Sequence, residues 1–189
     1  RMLSAARAGD ADALLQLLDD GAEVDQTRGD GATSLYIACA EGHLDVARLL
    51  LERGADVEQA DQAGWAPLMV VCQTGPVEAV ELLLKHNADV SRATRGSGST
   101  PLHIALQNGQ LDTARLLLDR GAEVERADKL GRTPLDAAKH FRHDAIVALL
   151  EEHYTTKFPL HAAAKAGDVY AMALLLDGGA AVDQSSGDG

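Results

Sequence analysis

Aromatic residues are scarce, at 3% of 189 residues, with a single Trp. A large single core usually leans on such rings, so the packing must rest on smaller side chains. Two cysteines are too few for a disulfide framework. Basic residues are outnumbered, 17 against 29 acids, leaving a net charge of −12. That argues against nucleic acid as the main partner, because affinity for phosphate comes chiefly from Lys and Arg. It also argues against an anionic membrane surface; a protein with a basic patch suits the balance better. No apolar run approaches the length of a bilayer-spanning helix. The chain starts at Arg1 rather than Met, which fits a piece of a longer chain, so the lack of a signal-like stretch decides little.

What is present in quantity is Ala and Leu, 33 and 28 residues. That composition predicts closely packed helices and many small, repeated interfaces. The sequence is self-similar at a fixed period, which governs everything else. AARAGDADALLQLLDDGAEVD from Ala5 returns as ACAEGHLDVARLLLERGADVE from Ala38 and VCQTGPVEAVELLLKHNADVS from Val71. It returns again as ALQNGQLDTARLLLDRGAEVE from Ala105 and AAAKAGDVYAMALLLDGGAAVD from Ala162. Gly9, Gly42 and Gly75 are 33 apart, Gly109 follows after 34, and a further 33 reaches Arg142.

Each unit reads as two helices and a loop. Thr100-Pro101 is a helix start: Thr caps free N–H groups and Pro suits the first helical position. Gly109 breaks the first helix, Asp112 sits in the first turn of the second, and Leu116 and Leu117 supply its buried stripe. Gly21, Gly54, Asn87, Gly121 and Gly179 are expected at positive φ, each ending a second helix; Asn is the most tolerant substitute for Gly there.

Gly98-Ser-Thr-Pro-Leu-His-Ile-Ala, followed by Leu116-Leu-Leu-Asp-Arg-Gly-Ala-Glu-Val, resembles the ankyrin repeat, and Gly131-Arg-Thr-Pro-Leu-Asp-Ala-Ala is a second close match. The resemblance covers six tandem units, at about 1–30, 31–63, 64–97, 98–130, 131–157 and 158–189, the last one truncated. It implies an all-α ankyrin-repeat solenoid of helix-turn-helix units with β-turn fingers, binding a partner protein on a concave face of finger tips and inner helices. The first and sixth units lack Thr-Pro, Ser34 replaces Pro, Ala66 replaces Thr, and Arg142 replaces a glycine, so a distorted turn is expected there.

The fifth unit ends without a GADV-like segment: Tyr154–Phe158 leads straight to Pro159. Either the finger is shortened within one stack, or one array closes and a second opens. Residues 3–31 align without gaps to 161–189, which suggests duplication of a block and a further helix pair resembling 32–57 after Gly189.

No nucleotide-binding or nucleophile-elbow motif occurs, so no catalysis and no cofactor are expected. The competing reading makes the chain a targeting or regulatory module of a larger enzyme. His103 and His161 stand where the family's His holds the finger to the helix start. His140 and His143, with Asp144 and His153, have a spacing that zinc could use, but a solvated helix face suits them better. Cys39 and Cys72 occupy equivalent positions on neighbouring helices about 8–10 Å apart. That is too far for a disulfide, so both read as buried thiols in a reducing, intracellular setting. Acids repeating with the unit, such as Asp56, Asp89 and Glu123, read as a solvated face or a stripe for a basic partner.

Trp65 follows Gly64 at a finger tip, where it either anchors a partner or folds onto the neighbouring finger. Ala32, Ser99 and Arg132 share its position. The family's geometry places the partner-binding set on Asp30, Gln62, Trp65, Ser99, Lys129 and Arg132 of the finger row. It adds Tyr36, Glu41, Gln73, Thr74, Gln107, Asn108 and His140 of the inner helices. A monomer is expected.

Overall fold

The computed structural model describes residues 1–178. Among them the chain forms twelve α-helices and no strand. They come in pairs. An inner helix is followed by an outer one: α1 (Met2–Ala8) and α2 (Ala11–Asp19), α3 (Ser34–Glu41) and α4 (Leu44–Glu52), α5 (Pro67–Thr74) and α6 (Val77–Lys85). Then come α7 (Pro101–Gln107) and α8 (Leu111–Asp119), α9 (Pro134–His140) and α10 (Asp144–Lys157), and α11 (Pro159–Ala166) and α12 (Val169–Asp177).

The helix starts follow local chemistry. The hydroxyls of Thr33, Thr100 and Thr133 accept the N–H of the residue three further on. Pro67, Pro101 and Pro134 occupy first positions, where no N–H is needed. The second helices end at Gly21, Gly54, Asn87 and Gly121, with φ of 89°, 84°, 64° and 89°. Gly179 lies outside the described residues. Within units the turn uses positive φ at Gly9, Gly42 and Gly109, and Arg142 adopts φ 56°, so the arginine takes the glycine conformation without distorting the turn. Gly75 departs from the rest, with φ −79° and ψ 160°. Pro76 follows it, and a residue before proline is driven to extended backbone.

Small residues set the spacing of the inner row. Ala38, Val71, Ala105 and Ala138, one per unit, have no exposed surface. Helices α1, α3, α5, α7 and α9 stack in sequence through them. Leu50, Leu83 and Leu117 fill the space between inner and outer rows at zero exposure, with Leu150 at 2%. Leu116, by contrast, is half-buried; the outer-helix stripe therefore runs through Leu117 and Leu118 rather than Leu116 and Leu117.

The fifth unit breaks the pattern. Tyr154 stands where the terminating glycine belongs, and a bulky side chain does not adopt positive φ cheaply. So α10 runs on to Lys157, to 14 residues against nine in α8. Thr155 and Thr156 donate their hydroxyls to the carbonyls of Glu151 and Glu152 within it. No finger forms, and α11 packs on its partner α12 and on α10. Residues 179–189, where the sequence leads one to expect the finger of the sixth unit, lie outside the described residues.

Candidate functional site

Four fingers connect the units, each closed by one backbone bond: Arg28 N to Ala32 O, Asp61 N to Trp65 O, Thr94 N to Ser99 O and Asp128 N to Arg132 O. Adjacent fingers form a ladder. Gln62 N donates to Asp30 O at 2.9 Å, Arg95 N to Ala63 O at 3.2 Å, and Lys129 N to Ser97 O at 2.8 Å.

Trp65 therefore closes its finger rather than standing at the tip. Its N–H donates to Asp61 Oδ1 at 2.8 Å, and its ring is half-buried against the core. Among the described residues its indole N–H has no partner. Ser99, at the equivalent position, is buried, and its hydroxyl bonds Ser97 at 2.7 Å. It builds the finger and is removed from the groove-facing set. Arg132 makes a two-pronged pair with the buried Asp128, at 2.9 and 2.7 Å. That pair and the backbone N–H groups of Leu130 and Arg132 offset burial and keep the Asp128 carboxyl below its ordinary range.

Asp30 is exposed and bonded to Arg28, which holds its carboxyl down at about 2. Gln62 reaches back to Gly29 O at 2.8 Å and Lys129 to Arg95 O at 2.6 Å. Tyr36 is half-buried, its hydroxyl 3.4 Å from Asp61, and burial pushes its pKa up. Most of the finger row thus holds the row itself together.

The inner-helix ends are freer. Gln73, Gln107 and His140 occupy one position in successive units, and Glu41 and Asn108 the next one along. Glu41, Gln73, Asn108 and His140 are exposed and Gln107 is partly so. The side chains of Gln73 and Gln107 have no partner among the described residues. Asn108 folds back to Ile104 O at 2.8 Å, and Glu41 lies 3.6 Å from Arg7. The side chain of Thr74 lies outside the described residues. Sequence reasoning missed Phe141, 45% exposed at the position of Glu41 and Asn108, with His140 edge-on at 5.0 Å. Its break from the polar residues at that position was the available signal.

The histidines do not converge on a centre. His103 is fully buried: Nδ1 accepts from Thr100 N–H at 3.3 Å and Nε2 donates to Arg132 O at 3.1 Å, tying helix start to finger. His161 lacks the preceding Thr and instead packs edge-on to Tyr154 at 5.6 Å. His143 faces Gln107 O in the previous unit at 3.3 Å, as His43 faces Arg7 O at 2.9 Å and Gln110 faces Gln73 O at 3.4 Å. These side chains share one position and lock the second, fourth and fifth units to the helix end before them, a role the sequence reading did not assign; Pro76 stands at that position in the third unit. Among the described residues no three His, Cys, Asp or Glu side chains could hold one metal ion. Cys39 and Cys72 are buried and unlinked, and burial pushes the Cys39 thiol up to about 12. Among the described residues no helix is long and apolar enough to cross a membrane.

Paired antiparallel helices, an inner row spaced by small residues and a hydrogen-bonded ladder of turns define a helical-repeat solenoid with a finger-lined face. The sequence matches the pattern for ankyrin repeats in three copies over residues 2–94 and 91–157, and the pattern for a single ankyrin repeat over residues 157–186. The chain belongs to the ankyrin repeat family. Ankyrin repeats are generally protein–protein interaction modules. No curated protein matches the sequence.

Proposed function

We propose that this chain binds a partner protein non-covalently, without catalysis, through the concave face made by the fingers and inner-helix ends of the second to fifth units. Trp65 is the anchor. The observation that carries this reading is the half-buried Trp65 ring with its indole N–H unpaired, in the same array as Gln73 and Gln107, whose amides are also uncommitted. A rigid aromatic with one donor to satisfy, flanked by uncharged amides, suits a desolvated contact. The outer helices carry exposed charges such as Arg48, Glu52 and Arg53, which suit solvent. The net charge of −12 favours a partner with a basic surface.

The test is affinity capture followed by titration of the captured protein against two variants of equal thermal stability. Trp65→Ala should weaken binding about thirtyfold or more, the effect of losing an anchor worth about 2 kcal/mol. Arg48→Ala on the outer helix should leave it nearly unchanged. The reverse order would move the binding face to the convex side.

A further inference from the structure

The finger ladder has a direction. Each finger donates a tip N–H to a carbonyl of the finger before it, so Asp30 O, Ala63 O and Ser97 O are all engaged. The corresponding carbonyl of the fourth finger is that of Leu130. Among the described residues no group donates to it, and Leu130 is 73% exposed. A second row of rungs behaves likewise. The carboxylate of Asp25 accepts the N–H of Asp56 at 3.1 Å, and that of Glu58 accepts the N–H of Asp89 at 2.8 Å and Arg92 Nη1 at 2.5 Å. One position on in the same series, Ser91 O accepts Arg126 Nη1 at 2.8 Å. Glu125 is the last member of this series, and it has no partner among the described residues.

Both open rungs face the place where the fifth unit omits its finger. In most end units such an edge would open on bulk water. Here the extended α10 and α11 wall the Glu125 end of it, leaving a cleft of about 630 Å³ lined by Val124, Glu125 and Thr133 on one side and Tyr154, His161 and Lys165 on the other, while the Leu130 end stays open to solvent. The other charges at the cleft are engaged. Lys139 lies 3.7 Å from Glu151, Asp136 accepts from Thr133, and the Lys165 ammonium lies 6.0 Å over the Tyr154 ring. Among the described residues at the cleft, Glu125 is the uncommitted charge.

We infer that this cleft binds a finger-like extended segment of a partner protein, which completes the ladder in place of the absent finger. The chain's own fingers define what fits. In the third finger the N–H given to the preceding carboxylate is that of Asp89, the base is Arg92, and the N–H given to the preceding tip is that of Arg95. The occupant therefore presents a backbone N–H and, three residues on, an Arg or Lys, both for Glu125, and three residues further a backbone N–H for the carbonyl of Leu130. Main-chain bonds supply the fit and the base supplies selectivity, as when a strand adds to a sheet edge. The four described fingers of this chain are occupied in the row and are not the occupant. This surface is separate from the Trp65 groove and stands or falls independently of it.

The probe is a cyclised peptide with the sequence of residues 88–99, closed to reduce the cost of ordering it, titrated into the full chain and followed by amide chemical shifts and fluorescence anisotropy. Shifts are expected at Glu125, Leu130, Thr133 and Tyr154. Glu125→Gln should weaken binding about fivefold or more, as for a charge-assisted bond partly open to water. Replacing the peptide's first arginine by Ala should cost the same, and the two changes together little more. Trp65→Ala should leave the affinity unchanged. The inference is overturned by absence of shifts at millimolar peptide, by shifts centred on Trp65, or by equal affinity for Glu125→Gln. It is also overturned if the chain alone self-associates with the same shifts, which would make a second copy the occupant.

Discussion

The imidazole of His43 lies across Gly9 of the preceding unit so closely that a Cβ on that glycine would come within 2.7 Å of the ring. The ring is held there because Nε2 donates to Arg7 O at 2.9 Å. His143 lies on Gly109 in the same way, with 2.9 Å to a Cβ. The glycine thus answers two demands, a positive φ and a neighbour's side chain.

Those demands can be separated. Gly42 has φ 77° but nothing within 4 Å of a Cβ. Gly42→Ala should cost about 1–2 kcal/mol, the strain of positive φ alone. Gly9→Ala should cost about 1 kcal/mol more, because the His43 ring must leave its carbonyl. Urea denaturation of the two variants checks the order; equal losses would mean that the ring moves freely.

Within α8 the two adjacent leucines are not equivalent. Leu117 has zero exposure, whereas Leu116 is half-buried. Leu117→Ala leaves a cavity between inner and outer rows and should cost about 2–5 kcal/mol. Leu116→Ala should cost roughly half as much or less, since it removes partly exposed surface. Comparable losses from denaturant midpoints would show that the stripe is placed wrongly.

The repeating architecture was legible because its punctuation is local. Thr-Pro starts, glycine stops and Asn87 act through φ and N–H accounting within a few residues, and Gly21, Gly54, Asn87 and Gly121 operate as their chemistry requires. The exceptions were harder to read. Pro76 changes the backbone of Gly75, and Tyr154 removes a stop and lengthens α10; the absent finger was visible, the continuous helix in its place was not. At the candidate site the polar finger residues were found, but their partners were not. Gln62, Lys129 and Arg132 look like free surface groups in sequence, yet Gln62 and Lys129 are spent on carbonyls 33 and 34 residues away, which no short window reveals, and Arg132 on the carboxylate of Asp128 four residues back. Trp65 looked like a tip because it follows a glycine; only the Asp61–Trp65 closure shows that the turn ends there.

His103 should make stability depend on pH near neutrality. Burial is the largest cause holding its pKa below the ordinary 6.5, so the native ring stays neutral where the unfolded one takes up a proton. Between those two pKa values the unfolded state binds more protons, so stability is fully present above about 6.5 and falls as pH drops towards the native pKa. His153 is shifted downward by burial in the same sense and leaves a residual slope. Denaturation at pH 7.5 and 5.5 should show a loss in the native protein and a shallower one in His103→Gln. An unchanged slope in that variant would remove His103 from the account.

Arg142 offers a stabilising change. It holds φ 56° at the turn between α9 and α10, the position that is Gly42 and Gly109 in other units. A residue with a Cβ pays about 1–2 kcal/mol to sit in that region. Glycine relieves this strain but makes the unfolded chain more flexible, which takes back up to about 1 kcal/mol. The Arg142 side chain makes no ion pair or hydrogen bond among the described residues, so nothing else is lost. Arg142→Gly should therefore raise stability by about 0.5–1 kcal/mol, seen as a higher urea midpoint with an unchanged slope. Replacing the arginine by Ala should leave the midpoint close to its starting value, since the strain belongs to the Cβ and not to the guanidinium. A midpoint that falls in Arg142→Gly would show that the arginine side chain holds the turn.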